Sequence, residues 1–380
     1  MINPNRLKSF FLDMVQINSH GREEKDVALY IKGKLDKLGI LSTLDDTGER
    51  IGGNCGNLLA RVEGPLSKKI PPLLLCAHMD TVVPGKGVKP VEENGEIRSS
   101  GDTILGADDK SGIAVVLELL HILKERSIPH GEIEILFTVA EEIGLLGANN
   151  FDTSIINSKI AYFLDSVDVS EICVAAPAAY RMTYRVFGQE AHAGISPQKG
   201  ISAILVAAKA IATMPLGRID SDTTANIGVI EGGTATNIVP NLVTIRAEAR
   251  GHDEQKLERQ VELMRSSLEQ TAAMHHITIN GKEIQARIEE TRKLEYRSYR
   301  ISEQGYAYQL PFRAGQELGL QMKPEISGGG SDANIFNARG VESVVLGTGM
   351  SNVHTVNEFI RIKDLEDCAN LILKMIQLHQ

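Results

Sequence analysis

Leu73-Leu74-Leu75-Cys76-Ala77 is an unbroken apolar run, opened by Pro71-Pro72 and stopped by His78. A strand apolar on both faces is a strand buried on both faces, as in parallel sheets covered by helices. The pattern recurs. Residues Ile133 to Ala140 are alternating and then continuously apolar, and they stop at Glu141-Glu142. Residues Ile160 to Leu164 stop at Asp165-Ser166. Between the first two runs, Ile113, Val116, Leu117, Leu120 and Leu123 recur at helical spacing, with Val115, Leu119 and Ile122 filling in. That helix is buried on most sides. Apolar strands separated by helices predict an α/β sheet. In such sheets ligands bind beyond the carboxyl ends of the strands. Here each of those ends carries a residue type that binds a metal or moves a proton. One polar strand cap is commonplace; the same ligand chemistry at successive caps is not.

The rest of the chain frames that sheet. Residues Glu23 to Leu38 read as a helix and Asn57 to Val62 as a strand. From Cys173 the character changes. Tyr180 to Phe187, Ala225 to Ile230, Val243 to Ala249 and Ile284 to Glu290 read as strands; Ile201 to Met214 and Glu254 to Met274 read as helices. The order strand–helix–strand–strand–helix–strand predicts a ferredoxin-like α+β domain over 177–293, inserted into a first domain made of 1–176 and 294–380. Length agrees, because 380 residues exceed one typical core. Residues Ser302 to Leu318 and Leu365 to Leu378 read as closing helices around a strand at Ser343 to Leu346.

A formal charge of −9, with no basic run, argues against nucleic acid as a partner. No stretch of about 18 apolar residues predicts a membrane span. The start, through His20, is amphipathic and charged rather than a signal sequence. Cys55, Cys76, Cys173 and Cys368 show no paired spacing, so reduced thiols and a cytoplasmic location are expected.

A hydrolytic two-metal site needs nitrogen and oxygen ligands for each ion, a bridging carboxylate and a base near the attacking water. The chain offers that set. His78, Glu142, Asp165 and His354 are candidate ligands, and Asp108 a candidate bridge. Asp80, two residues beyond His78, can hold the imidazole's other nitrogen. Glu141, beside Glu142, can take the water's proton. Asp108-Asp109 stand at the mouth of the buried helix, where Lys110 offsets part of their charge. A helix N-terminus favours anions in any case, which is the plainer reading of that pair. The remaining histidines, His20, His121, His130, His252, His275, His276 and His379, lie in no such pattern. His275-His276 are expected to end a helix.

Five segments, in order, resemble the co-catalytic zinc metallopeptidase family of peptidase T, glutamate carboxypeptidase and succinyl-diaminopimelate desuccinylase. They are Ala77-His78-Met79-Asp80-Thr81, Gly106-Ala107-Asp108-Asp109-Lys110-Ser111-Gly112, Ala140-Glu141-Glu142-Ile143-Gly144, Leu164-Asp165 and His354-Thr355. Supporting segments surround His192 and Asn237. The pattern is similar above all to peptidase T and peptidase T-like proteins. The resemblance implies a mixed sheet flanked by helices as catalytic domain, with the inserted domain as lid and dimerisation element. It implies two zinc ions per chain, replaceable by cobalt or manganese. One ion is held by His78 and Asp165, the other by Glu142 and His354, with Asp108 rather than Asp109 between them. Asp80 orients His78, Glu141 is the general base, and His192 stabilises the oxyanion, in cis or from the partner of a homodimer. Arg250 resembles the arginine that binds the peptide carboxylate, although a solvated charge at a strand end is an equal alternative. Asn237 and the loop around Gly329 are expected to line the substrate site, with a plain turn the equal alternative for the loop's glycines.

The implied reaction is release of the N-terminal residue from a tripeptide. Carboxypeptidase and N-acyl-amino-acid deacylase chemistry would use the same metal site. The connection from Asp80 to Asp108 is shorter than in peptidase T itself, so chain-length preference is not carried over. A non-catalytic binding protein has no need for the full ligand set with Glu141. A nucleotide-binding enzyme would want a glycine-rich phosphate loop, which the chain lacks.

Overall fold

A computed structural model describes residues 2–379. The chain divides into two compact units, Met1–Ala176 with Tyr299–Gln380, and Pro177–Ser298.

The first unit is built on a nine-stranded mixed sheet. Its middle is parallel: Leu73–His78 lies between Ile133–Thr138 and Ile160–Ser166, and Glu342–Gly347 runs parallel beside the last. Every residue of Leu73–His78 and Ile133–Thr138 is buried, which is why the first does not alternate; Glu134, which breaks the apolar run of the second, is held by Arg61 and Ser158. Leu58–Val62 pairs antiparallel with Ile133–Thr138, and that makes the sheet mixed. The helix Ala107–Glu125 packs on Leu73–His78 and Ile160–Ser166. Gly112 permits the close approach: a Cβ there would stand 2.6 Å from the Leu164 carbonyl oxygen.

A small four-stranded sheet, which the sequence did not suggest, joins Pro90–Glu93 and Glu96–Ser99 to Met350–Ser351 and Phe359–Arg361. Strands of two to four residues carry too little periodicity to be seen in advance. Met350–Ser351 pairs antiparallel with Phe359–Arg361 and closes the loop that carries His354.

In the second unit the strands Ala178–Phe187, Thr223–Gly232, Leu242–Gly251 and Arg287–Tyr296 alternate with helices Ala203–Thr213 and Glu254–Ala273. All pairings are antiparallel, and in chain order the four strands lie fourth–first–third–second, the ferredoxin-like arrangement. Alternate strand residues (Met182, Tyr184, Val186, Val243, Ile245) meet Val206, Ala210, Leu257, Val261, Met264 and Leu268 from the helices. Two details differ from the sequence reading. Arg287–Tyr296 runs on past residue 293, so the unit ends at Ser298. His276 opens a hairpin strand, His276–Ile279, instead of ending the helix, because the helix already stops at Ala273.

Candidate metal centre

The first-unit candidates converge where the parallel strands end. His78 is the last residue of its strand, Asp165 lies near the end of Ile160–Ser166, and Glu141-Glu142 follow Thr138 by three and four positions. Asp108 stands in the first turn of Ala107–Glu125, where its own backbone and that of Asp109 are non-helical and their peptide bond is cis.

Asp108 is shared between two imidazoles. Its Oδ1 lies 2.9 Å from His78 Nε2, and its Oδ2 lies 3.1 Å from His354 Nε2. Asp165 Oδ1 is 3.6 Å from His78 Nε2, and Glu142 Oε1 is 2.9 Å from His354 Nε2. Two donor sets, His78 with Asp165 and His354 with Glu142, thus meet on one carboxylate. Ligand atoms of His78, Asp108 and Glu142 lie within 4.8 Å of one another, and so do those of His78, Asp109 and Asp165. Asp109, however, already spends its oxygens on main-chain donors. Oδ2 accepts from the His78 N–H and Oδ1 from the Gly112 N–H. Asp108 is the carboxylate with both oxygens turned to imidazoles.

The electrostatics fit cations. Burial opposes charge on His78, but Asp108, Asp165 and Asp80 outweigh it and hold its pKa well above the usual value. Hydrogen bonding to Asp108 and Glu142 raises His354 to about 10. Burial pushes Glu142 up to about 7 and Glu141 well above the carboxylate range. Nitrogen and oxygen donors in this ratio suit zinc, cobalt or manganese. These residues would hold a divalent cation in place of the imidazole protons, with the carboxylates ionised.

Asp80 meets the other imidazole nitrogen of His78, and its carbonyl is the nearer group. His78 Nδ1 is 3.0 Å from the Asp80 carbonyl oxygen and 3.5 Å from its carboxylate. The strand stops at His78, and the chain turns so that the Asp80 carbonyl meets the ring's Nδ1. The Asp80 carboxylate also accepts from the Glu141 and Glu142 N–H groups, at 2.9 and 3.1 Å. It ties the loop carrying the candidate base to the loop after His78.

Other supports were missed in the sequence. Glu358, 1 % exposed, accepts from the N–H groups of Leu105, Gly106 and Asp108 at 2.7, 2.7 and 3.0 Å. Its place four residues after His354, in the same short loop, was the available signal. Glu24 accepts from the Ala140 N–H, and Asn57 Oδ1 accepts from the Val139 N–H. Asp332 Oδ2 takes the Thr138 hydroxyl at 2.6 Å, while its buried Oδ1 has no partner among the described residues. Ala140 and His354 both sit at positive φ, +53° and +63°, a conformation side chains resist unless the surroundings impose it.

A pocket of about 360 Å³ opens on the centre. Besides His78, Asp108, Glu141, Glu142, Asp165 and His354, its walls include Cys173, Glu325, Ser327, Gly329 and Met350. The Gly329 N–H donates to Ser327 Oγ, so this amide is not free for a ligand. No lysine or arginine among the described residues lines the pocket.

The remaining candidates lie in the second unit. His192 is exposed on the short strand Ala191–His192, in register with Ile238. The Ala193 N–H donates to the Asn237 carbonyl, which keeps those two segments together. Arg250 donates to Glu248, and its Nε is buried without a partner among the described residues.

The profile of peptidase family M20/M25/M40 matches residues 74–378. An uncharacterized protein YqjE of Bacillus subtilis (strain 168) is 42% identical over 378 residues, 99% of each chain. The crystal structure of aminopeptidase PepT from Bacillus cereus ATCC 10987 is similar at 41% identity and a TM-score of 0.89, over 99% of this chain and 98% of that one. A tripeptidase from Staphylococcus aureus subsp. aureus mu50 is similar at 39% identity and a TM-score of 0.93, over 100% and 99%.

Proposed function

Because the chain belongs to peptidase family M20/M25/M40, we propose that it is a two-metal aminopeptidase that releases the N-terminal residue of short free peptides, tripeptides first. The observation that carries the metal chemistry is Asp108, whose two oxygens address His78 and His354 separately. The amino-terminal preference is supported by pocket walls that offer carboxylates and no lysine or arginine among the described residues. A substrate's free amine finds counter-charge there.

His78 and Asp165 would hold one zinc ion, Glu142 and His354 the other, and Asp108 both. Bound ions supply Lewis-acid polarisation of the scissile carbonyl and a more acidic water. Glu141 takes the proton of the attacking water and delivers it to the leaving amine. Asp80 sets the height of that carboxylate by holding the Glu141 N–H. Positional control of this kind matters because proton transfer requires hydrogen-bond reach. Three second-unit residues keep the roles that the resemblance implies: His192 to the oxyanion, Arg250 to the peptide carboxylate, and Asn237 lining the substrate site. Dimerisation through the second unit belongs to the same reading, and a light-scattering mass of two chains is the expected result. Four buried, unpaired cysteines suit a reducing cytoplasm.

The test compares a free tripeptide with its N-acetylated and C-amidated forms on zinc-loaded enzyme, following each product by mass. N-terminal release from the free peptide, slower release from the amidated one, which lacks the carboxylate assigned to Arg250, and resistance of the acetylated one are the expected pattern. Release of the C-terminal residue or of acetate refutes it.

A further inference from the structure

We propose that Glu325 is the anchor for the free α-ammonium group of the peptide; this rests on the aminopeptidase reading and names the residue that enforces it. The strand Lys323–Ile326 runs parallel to Glu171–Ala176, with Glu325 in register with Cys173. Both residues face the pocket that opens on the metal centre.

The ionisable groups of that pocket divide cleanly by task. His78, Asp108, Glu142, Asp165 and His354 form the two donor sets, and Glu141 is the base of the proposed reaction. Burial pushes the Cys173 thiol up, so it stays neutral. Glu325 is what remains. No hydrogen bond or ion pair to its carboxylate is found among the described residues. The charges that act on it are Glu171 and Asp168, both of its own sign. It is half-buried. A carboxylate partly withdrawn from water, beside like charges and without a cation, is held at a cost unless a ligand brings the cation. A peptide's ammonium does so. An N-acylated peptide puts a neutral amide in the same place and leaves the carboxylate uncompensated, so the pocket discriminates between the two by charge.

The experiment uses the full-length zinc-loaded enzyme with trialanine and N-acetyl-trialanine, comparing wild type, E325Q and E325D. Charge-assisted hydrogen bonds of this kind correspond to roughly tenfold to hundredfold in binding. E325Q is therefore expected to raise KM for trialanine by about that factor, with kcat little changed. Its rate on N-acetyl-trialanine rises, because the carboxylate left uncompensated by the neutral amide is gone, so the preference for the free amine narrows from both sides. E325D, which keeps the charge, recovers part of the loss, and both variants hold the wild-type complement of zinc. If wild type prefers trialanine and E325Q keeps the same preference, the anchor is elsewhere while the aminopeptidase reading stands. If wild type prefers the acetylated peptide, the aminopeptidase reading itself fails, and the assignment of Glu325 with it.

Discussion

Glu358 offers the sharpest test of how the metal centre is held. Its Oε2 accepts from two N–H groups, Leu105 and Gly106, and its Oε1 from that of Asp108. In Glu358→Gln the amide oxygen can keep the first two. The amide NH2 then faces the Asp108 N–H, donor against donor, and that N–H is left buried and unsatisfied. An unsatisfied buried group costs about 1–3 kcal/mol. Burial raises the pKa of Glu358 itself, with Asp108 adding to the effect, so removing its charge returns part of that cost. The net expectation is about 2 kcal/mol of destabilisation. Asp108 shifts with its backbone, and altering the groups that orient a ligand weakens metal binding by roughly 10–100-fold. Competition for zinc against a chromophoric chelator measures the second quantity, and urea unfolding of the metal-free protein the first. Glu358→Ala orphans all three N–H groups and should be worse than Glu358→Gln in both assays. Zinc affinity within twofold of wild type for both variants, or the reverse order of stability, would refute the reasoning.

Three other outcomes are expected. Glu141→Gln should bind zinc as wild type does, by metal analysis, and lose about 10²–10⁴-fold in kcat; near-normal turnover would remove Glu141 from the role of base. Gly112→Ala places a Cβ 2.6 Å from the Leu164 carbonyl oxygen and 2.8 Å from the Leu164 Cβ. Overpacking of that kind costs about 1–3 kcal/mol, read as a lower urea midpoint, and an unchanged midpoint would show that the helix is free to move off the sheet. Chelation should lower the melting temperature and excess zinc restore it, since ligand at 100 times its Kd contributes about 2.7 kcal/mol; a melt indifferent to zinc would mean that the clustered side chains hold no ion.

What the sequence revealed follows from burial. A strand covered on both faces must be apolar until it stops, so His78 and Asp165 could be read from the chain as strand ends with ligand chemistry. Asp108 could be separated from Asp109 only through the family resemblance. In the structure the distinction has a plain cause, because Asp109 is engaged by the N–H groups of His78 and Gly112. The supports were not legible. Glu358 serves main-chain atoms 250 or more positions away, and a carboxylate that binds backbone leaves no pattern in its neighbours. Asp80 was legible as a partner of His78 but not in its manner. The sequence suggests a carboxylate-to-imidazole contact, whereas the carbonyl is the nearer atom and the carboxylate holds the Glu141-Glu142 loop. The end of the inserted unit was set too early because Arg287–Tyr296 keeps a strand's geometry through polar residues such as Arg292, Lys293 and Glu295.

These supports share one chemical strategy. Asp80, Asp109 and Glu358 are buried carboxylates beside a centre already rich in carboxylate, and each is held by backbone N–H groups rather than by hydrogen bonds from arginine or lysine. A guanidinium in any of those places would satisfy the same oxygens, but it would add a full positive charge within a few ångströms of the donor sets. Coulomb repulsion between unit charges 4 Å apart, at an effective dielectric constant of about 20, is roughly 4 kcal/mol, and it doubles against a divalent ion. Backbone dipoles hold the geometry without opposing the ions. Among the described residues, Lys110 is the one buried ammonium near these supports: it donates to the Ile17 carbonyl, and burial lowers its pKa while Glu358 and Asp80 oppose that fall. The centre thereby keeps its surplus negative charge for the metal ions, and the precision of the ligand cage comes from main-chain hydrogen bonds that the sequence alone does not display.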